Sequence, residues 1–271
     1  MKLAGKVALV TGTSPNIGGG IVEGLAAEGA DIVAVDNNAD NAKDCAAYIR
    51  STGRRAVGYT CDVTDEAQVK ATVENAVKEL GHIDILVNNA VMFTTGGVLD
   101  MPYATWQAAT GVLLDGAFLF TKYVSQQMVE KKLKGSIINI ISTAGHQGQP
   151  RNVAYSTSKM GLKNFTNSVA MELAQHGIRV NALTPTATDR SESFERAKRW
   201  GRNVEVPPEP PGMGNFIRLV PMQKLPKPSD YGKAAAFLCS EDASMITGLD
   251  LRVDGGAIAK YWAWDPSQGL R

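Results

Sequence analysis

Short apolar runs alternate along this chain with longer segments in which apolar residues recur every three or four positions. Val7-Ala8-Leu9-Val10 and Ile32-Val33-Ala34-Val35 are runs of the first kind; Ile21, Val22, Leu25 and Ala26 show the second spacing. A short continuous run bounded by polar residues reads as a strand buried on both faces, and the longer spacing as an amphipathic helix. The pattern predicts strands near 6–11, 31–36, 56–60, 83–88, 135–141, 178–184 and 249–253, and helices near 17–29, 40–52, 65–80, 103–132, 153–176 and 229–240. Asp40 and Asp65 stand where N-caps belong, and Gly29, Gly53, Gly81 and Gly177 where helices close. Strict strand–helix alternation with right-handed crossovers predicts an α/β fold: a doubly wound, seven-stranded parallel sheet with helices on both faces. Its ligand site is expected beyond the carboxyl ends of the strands.

The alternation breaks once, over 186–226, a stretch rich in charge, proline and glycine that includes Pro207-Pro208-Glu209-Pro210-Pro211-Gly212. Long segments without a strand or helix pattern inside a compact domain are commonly functional covers, and Phe194, Trp200, Met213, Phe216 and Ile217 give this one apolar surface. No linker or repeat divides the chain, so 1–271 is expected to form a single domain.

Composition narrows the function. The chain has 271 residues, 44% hydrophobic and 20% charged, with a formal net charge of +1. That balance suggests neither nucleic acid nor an anionic membrane as a partner. No apolar run is long enough to span a bilayer, and Met1–Lys6 runs directly into the first strand without space for a signal peptide. Cys45, Cys61 and Cys239 are widely spaced, with no metal-ligand pattern. A metal-free, cytoplasmic enzyme is the expectation.

Three groups of residues carry chemistry. Gly12-Thr13-Ser14-Pro15-Asn16-Ile17-Gly18 lies between the first strand and the first helix, the setting of a dinucleotide-binding turn. There a helix N-terminus offers free N–H groups to a pyrophosphate, and glycine permits close backbone approach. Asp36 ends the second strand, where a carboxylate accepts hydrogen bonds from adenosine ribose hydroxyls and repels a 2′-phosphate by roughly 1–4 kcal/mol per unit-charge pair. No Lys or Arg lies between Gly12 and Gly20, and none follows Asp36 before Lys43. The expected cofactor is therefore NAD(H), not NADP(H). Finally, Tyr155 and Lys159 stand four apart on one helix face, with Ser142 upstream. Using a phenol as a base near neutrality requires lowering its pKa by about three units, roughly 4 kcal/mol, which one cation about 4 Å away supplies at an effective dielectric near 20.

Taken in order, Thr11-Gly12 with Ile17-Gly18, Asp62-Val63, Asn88-Asn89-Ala90, Ser142, Tyr155 with Lys159, Pro185 and Asp254-Gly255-Gly256 resemble the short-chain dehydrogenase/reductase family over about residues 5–256. The resemblance implies a Rossmann fold and hydride transfer between nicotinamide and a secondary alcohol or ketone. It implies Ser142, Tyr155 and Lys159 as catalytic residues, Tyr155 moving the proton and Lys159 also holding the nicotinamide ribose. Gly12, Ser14, Asn16, Ile17, Gly18 and Asp36 would bind the cofactor. Asp62 and Val63 would meet adenine, Asn89 and Ala90 would run beside its ribose, and Pro185 and Thr188 would border nicotinamide. Asn88 reads equally as a strand-end cap. The 186–226 segment would cover substrate, and the protein would form a homotetramer or homodimer.

Three positions depart from the family pattern. Asn16 replaces a glycine and is expected to tolerate a left-handed backbone. Val91 follows Asn88-Asn89-Ala90 where glycine is usual. Leu113 stands where the family carries an asparagine that holds a relay water; a backbone carbonyl or Asp115 would then serve instead. Met92, Phe93, His146, Gln149, Trp200, Met213 and Phe216, with Ser142, are the expected substrate pocket, pointing to an apolar, cyclic or aromatic alcohol. The basic residues of 190–202 offer a second reading, a 3-oxoacyl-thioester reductase (acyl carrier protein or coenzyme A). A third, suggested by Leu113, is a dinucleotide-binding regulator. The aromatic tail 261–271 is expected to pack on its own subunit or a neighbour's pocket mouth.

Overall fold

The computed structural model describes residues 1–208, 210–261 and 264–266. Seven strands, β1 (Val7–Thr11), β2 (Asp31–Asp36), β3 (Ala56–Thr60), β4 (Ile85–Asn88), β5 (Ser136–Ile140), β6 (Arg179–Pro185) and β7 (Asp250–Val253), form one parallel sheet in the order 3-2-1-4-5-6-7. The order reverses between β1 and β4, where Val10 pairs with both Ala34 of β2 and Val87 of β4. That reversal opens a crevice beyond the carboxyl ends of the strands.

One face of the sheet is covered by α1 (Ile17–Ala27), α2 (Ala39–Ser51) and α9 (Pro228–Cys239), through Ile21, Leu25, Ile49, Tyr231 and Leu238. The other is covered by α3 (Glu66–Leu80), α5 (Gly116–Glu130) and α6 (Val153–Leu173), through Val69, Val73, Phe120, Val124 and Leu173. The expected glycines close these helices with positive φ, from +72° at Gly177 to +101° at Gly29. Asp65 caps α3, accepting from the N–H groups of Ala67 and Gln68. Asp40 does not cap α2. Asn38 does, accepting from Asp40 and Asn41 N–H, and Asp40 falls in the first turn.

Two further expectations change. The helix predicted over 103–132 is broken into α4 (Tyr103–Thr110), a π-helical turn at Gly111–Asp115, and α5. Gly116, just past the wide turn, packs so closely on Val63 that a Cβ there would stand 2.6 Å from its Cγ2. The 186–226 segment is not structureless: it carries α7 (Ser191–Arg199) and α8 (Met213–Arg218). Of the C-terminal tail, the described part contacts this segment, with Asp265 paired to Arg218 at 2.8 Å. Trp262, Ala263 and residues 267–271 lie outside the described residues.

Candidate active site

A cleft of about 960 Å³ runs along the carboxyl edge of the sheet, and almost every residue singled out from the sequence lines it. At one end lie Gly12, Ser14, Asn16, Ile17, Gly18 and Asp36; Asp62, Val63, Asn89 and Ala90 line the middle. Ser142, Tyr155, Lys159, Pro185 and Thr188 line the other end, with Met92, Phe93, Gln149, Met213 and Phe216 around them.

The turn is built for a ligand to approach its backbone. Gly12 has φ +71°, and a Cβ there would stand 2.9 Å from Ala90 Cα. A Cβ at Gly18 would stand 2.0 Å from Gly12 O. Asn89 braces the turn, its Nδ2 donating to the carbonyls of Thr11 (3.1 Å) and Gly12 (2.8 Å). Asn16 has φ −84°, so no left-handed backbone is needed at this position. Its side chain instead accepts from Ser193 Oγ of α7 at 3.0 Å and leaves the α1 N-terminus without a side-chain cap. A bare helix end flanked by glycines too crowded for a Cβ fits the pyrophosphate of a dinucleotide.

Beside the turn, Asp36 accepts from Asn38 N–H at 2.9 Å. Burial pushes its pKa up, against the Asn38 N–H, the Asn41 amide and the charge of Arg202, which favour the carboxylate. Asp62 holds its own loop, accepting from Thr64 N–H and Oγ1. Asn88 is structural: its Nδ2 donates to Asn139 Oδ1 and Thr121 Oγ1 inside the protein.

At the other end, α6 presents Tyr155 and Lys159 on one face. Lys159 is fully buried and donates from Nζ to Ile140 O at 2.6 Å; burial lowers its pKa to about 7. Its Nζ lies 5.7 Å from the centroid of the Tyr155 ring. Burial raises the Tyr155 pKa, and the Ser142 hydroxyl facing the phenol acts in the opposite direction. The expected lowering by Lys159 is thus not the governing influence here. Ser142 is fixed by the short helical turn it opens, with its Oγ accepting from Ala144 N–H at 3.2 Å. The Phe93 ring stacks on Tyr155 at 5.0 Å between centroids.

Two expected pocket residues lie elsewhere. His146 places Nε2 2.9 Å from Asp250 Oδ2 on β7, out of hydrogen-bond alignment, and does not line the cleft. Trp200 is drawn into the core on the α1–α2–α9 face, because a large ring gains more from burial there than from the cleft mouth. The basic run is consumed internally as well: Arg196 and Arg199 pair with Glu23 of α1, Arg202 with Asp44 of α2, and Lys198 with Glu195. Arg190 of the basic run does line the cleft, as do Asn41, Gln147 and Asn152, three residues the sequence pattern did not single out. Gln147 and Asn152 belong to the loop between Ser142 and Tyr155, and Asn41 to the first turn of α2 after Asp36; that adjacency was the available signal.

At the relay position, Val112 lines the cleft while Leu113 is buried beside a void of about 10 Å³. A void that small is at the lower limit for one water. Asp115 is exposed and outside the cleft, so it offers no detour.

Residues 12–257 match the family described as Enoyl-(Acyl carrier protein) reductase. Glucose 1-dehydrogenase 2 of Bacillus subtilis is 34% identical over 260 residues, covering 94% of this chain and 95% of that protein. D-threitol dehydrogenase of Mycolicibacterium smegmatis is 34% identical, covering 96% and 95%. The crystal structure of an NAD+-bound xylitol dehydrogenase superposes with a TM-score of 0.85 at 34% identity, over 94% of this chain and all of that one. Sequence, sheet order and the cleft agree: the chain belongs to the short-chain dehydrogenase/reductase family and is an oxidoreductase of alcohols.

Proposed function

We propose that this protein is an NAD(H)-dependent dehydrogenase of secondary alcohols, working as one catalytic domain whose 186–226 segment closes the substrate end of the cleft. The observation that carries this reading is the meeting of Ser142, Tyr155 and Lys159 at one end of a cleft whose other end is the glycine turn and Asp36. The dinucleotide, when bound, supplies or accepts the hydride. Tyr155 takes the hydroxyl proton in oxidation and returns it in reduction. Ser142 donates to the substrate oxygen and holds it beside the phenol. Lys159, fixed by Ile140 O, brings an amine donor close to Tyr155 and the nicotinamide ribose. With Leu113 buried, the proton path rests on backbone carbonyls of the π-helical turn or on the open cleft. Asp36 supports NAD(H) over NADP(H).

The pocket has two characters. Met92, Phe93, Met213 and Phe216 are apolar, whereas Gln147, Gln149 and Asn152 present amides. The apolar wall supports a cyclic or aromatic alcohol. The amides, with relatives named for glucose, threitol and xylitol, support a second reading in which the substrate carries further hydroxyls. An acyl-thioester substrate keeps the support of the family's description, while most of the basic residues expected to steer it are paired within the chain. The test is NADH formation from NAD+ at mildly alkaline pH across cyclic, aromatic and polyhydroxy alcohols. Turnover in one class establishes the reaction and chooses between the readings. NADH binding without turnover on any alcohol or matching ketone would contradict the proposal and favour a binding role.

A further inference from the structure

His146 and Asp250 are ionisable, almost fully buried, and unused by the proton path described above. His146 closes the short helical turn Thr143–Gly145 that Ser142 opens, and Asp250 is the first residue of β7, at the edge of the sheet. Far apart in the sequence, they meet in the fold: His146 Nε2 lies 2.9 Å from Asp250 Oδ2, with the side chains only 9% and 11% exposed. Both atoms are shut off from solvent, and neither has a hydrogen-bond partner among the described residues. Two buried polar groups so placed depend on each other to offset their lost hydration. The other carboxylate oxygen is held by β6, where Thr184 Oγ1 donates to Asp250 Oδ1 at 2.5 Å. Asp250 is thus the fixed point, and His146 is the side chain that reaches it.

That reach bears on Ser142. Within the turn, Ser142 Oγ accepts from Ala144 N–H at 3.2 Å, Ser142 O from Gly145 N–H at 2.9 Å, and Thr143 O from His146 N–H at 3.1 Å. Gly145 seats the turn on α6, where a Cβ would stand 3.0 Å from Lys159 C. Past His146 the chain is exposed over 147–151, so His146 is the last anchored residue before a stretch of open loop. Because Ser142 Oγ accepts from Ala144 N–H, its own proton is left for the substrate oxygen, and any shift of the turn misdirects it. We propose that His146 and Asp250 are a positioning pair for Ser142, pinning its turn to the sheet edge so that the hydroxyl stays beside the Tyr155 phenol. This rests on the alcohol-dehydrogenase reading above. The competing view is that the pair only fastens β7 to the domain. A fastener would cost stability when cut and leave the chemistry alone; a positioning pair would act through Ser142.

The experiment has two readouts on the full chain, at a temperature where every variant is folded by circular dichroism. The first is amide hydrogen exchange at Ala144 and Gly145, which needs no substrate. Cutting the pair from either side, with His146→Leu or Asp250→Asn, should speed exchange there by about tenfold or more. The second is alcohol turnover. His146→Leu should lower kcat by about tenfold while KM and the dissociation constant for NADH each move by less than about twofold. In a Ser142→Ala background the same substitution should change the residual kcat by less than about twofold, since the group it positions is gone. His146→Gln, whose amide can donate to Asp250, should recover part of the loss. Unchanged exchange in both His146→Leu and Asp250→Asn would overturn the proposal, as would an equal loss of kcat with and without Ser142. A wild type that turns over no alcohol would instead overturn the reading on which the pair rests, and exchange at the turn would then decide the pinning alone.

Discussion

Lys159 is a strongly perturbed cation, and its environment predicts a particular dependence of stability on pH. The side chain is buried with one hydrogen-bond partner, Ile140 O, and burial lowers its pKa from 10.5 to about 7. Between those values the unfolded chain holds the proton and the folded chain has shed it. Stability therefore rises with pH through that window and is lowest below it, where a charged ammonium must be buried. The full difference corresponds to about 5 kcal/mol, and the part between about pH 8 and about pH 9.5 to about 2 kcal/mol. Lys159→Met removes the titrating group while keeping an unbranched side chain. Urea unfolding of both proteins across this range, without added dinucleotide, isolates the Lys159 contribution, since all other groups titrate in both. The wild type should gain about 2 kcal/mol relative to the variant over that interval. Parallel stability curves would refute the reasoning, showing that Lys159 keeps its ordinary pKa and that water reaches it.

Gly18→Ala places a methyl 2.0 Å from Gly12 O, so the turn must move; NADH affinity should fall by about 100-fold or more in a fluorescence titration, while the sheet persists by circular dichroism. Trp200→Ala should cost about 3–5 kcal/mol of stability in urea, because the ring is core, and leave the KM for alcohol unchanged at a temperature where the protein is folded. Leu113→Asn puts an amide beside a void with little room for water, and should destabilise by about 1–3 kcal/mol without raising turnover.

The fold was legible because most of the parallel strands are short apolar runs and α1, α2, α3 and α6 announce their ends with glycines at positive φ. Asp65 is the cap that its spacing predicts, but Asp36-Asn37-Asn38 crowds several capping residues together. Nothing in that spacing chose Asn38 over Asp40. The π-helical turn was hidden because one extra residue barely disturbs a 3.6-residue period over a long apolar helix. The cleft was legible where the chemistry is local: the glycine turn, the strand-end aspartate, the Tyr–Lys spacing. It was not legible where partners come from far along the chain. His146 looks like a pocket residue until Asp250 is folded beside it, and Arg202 looks like a solvated charge until α7 sets it against α2.

The central claim is that Tyr155 moves the proton in a cleft that binds dinucleotide independently of it. Tyr155→Phe keeps the ring that stacks on Phe93 and removes only the hydroxyl. The decisive measurement pairs kcat on the preferred alcohol with the dissociation constant for NADH in wild type and variant. The account predicts that kcat falls by about 100-fold to 10,000-fold while NADH affinity changes by less than about threefold. A variant that turns over at the wild-type rate would contradict it.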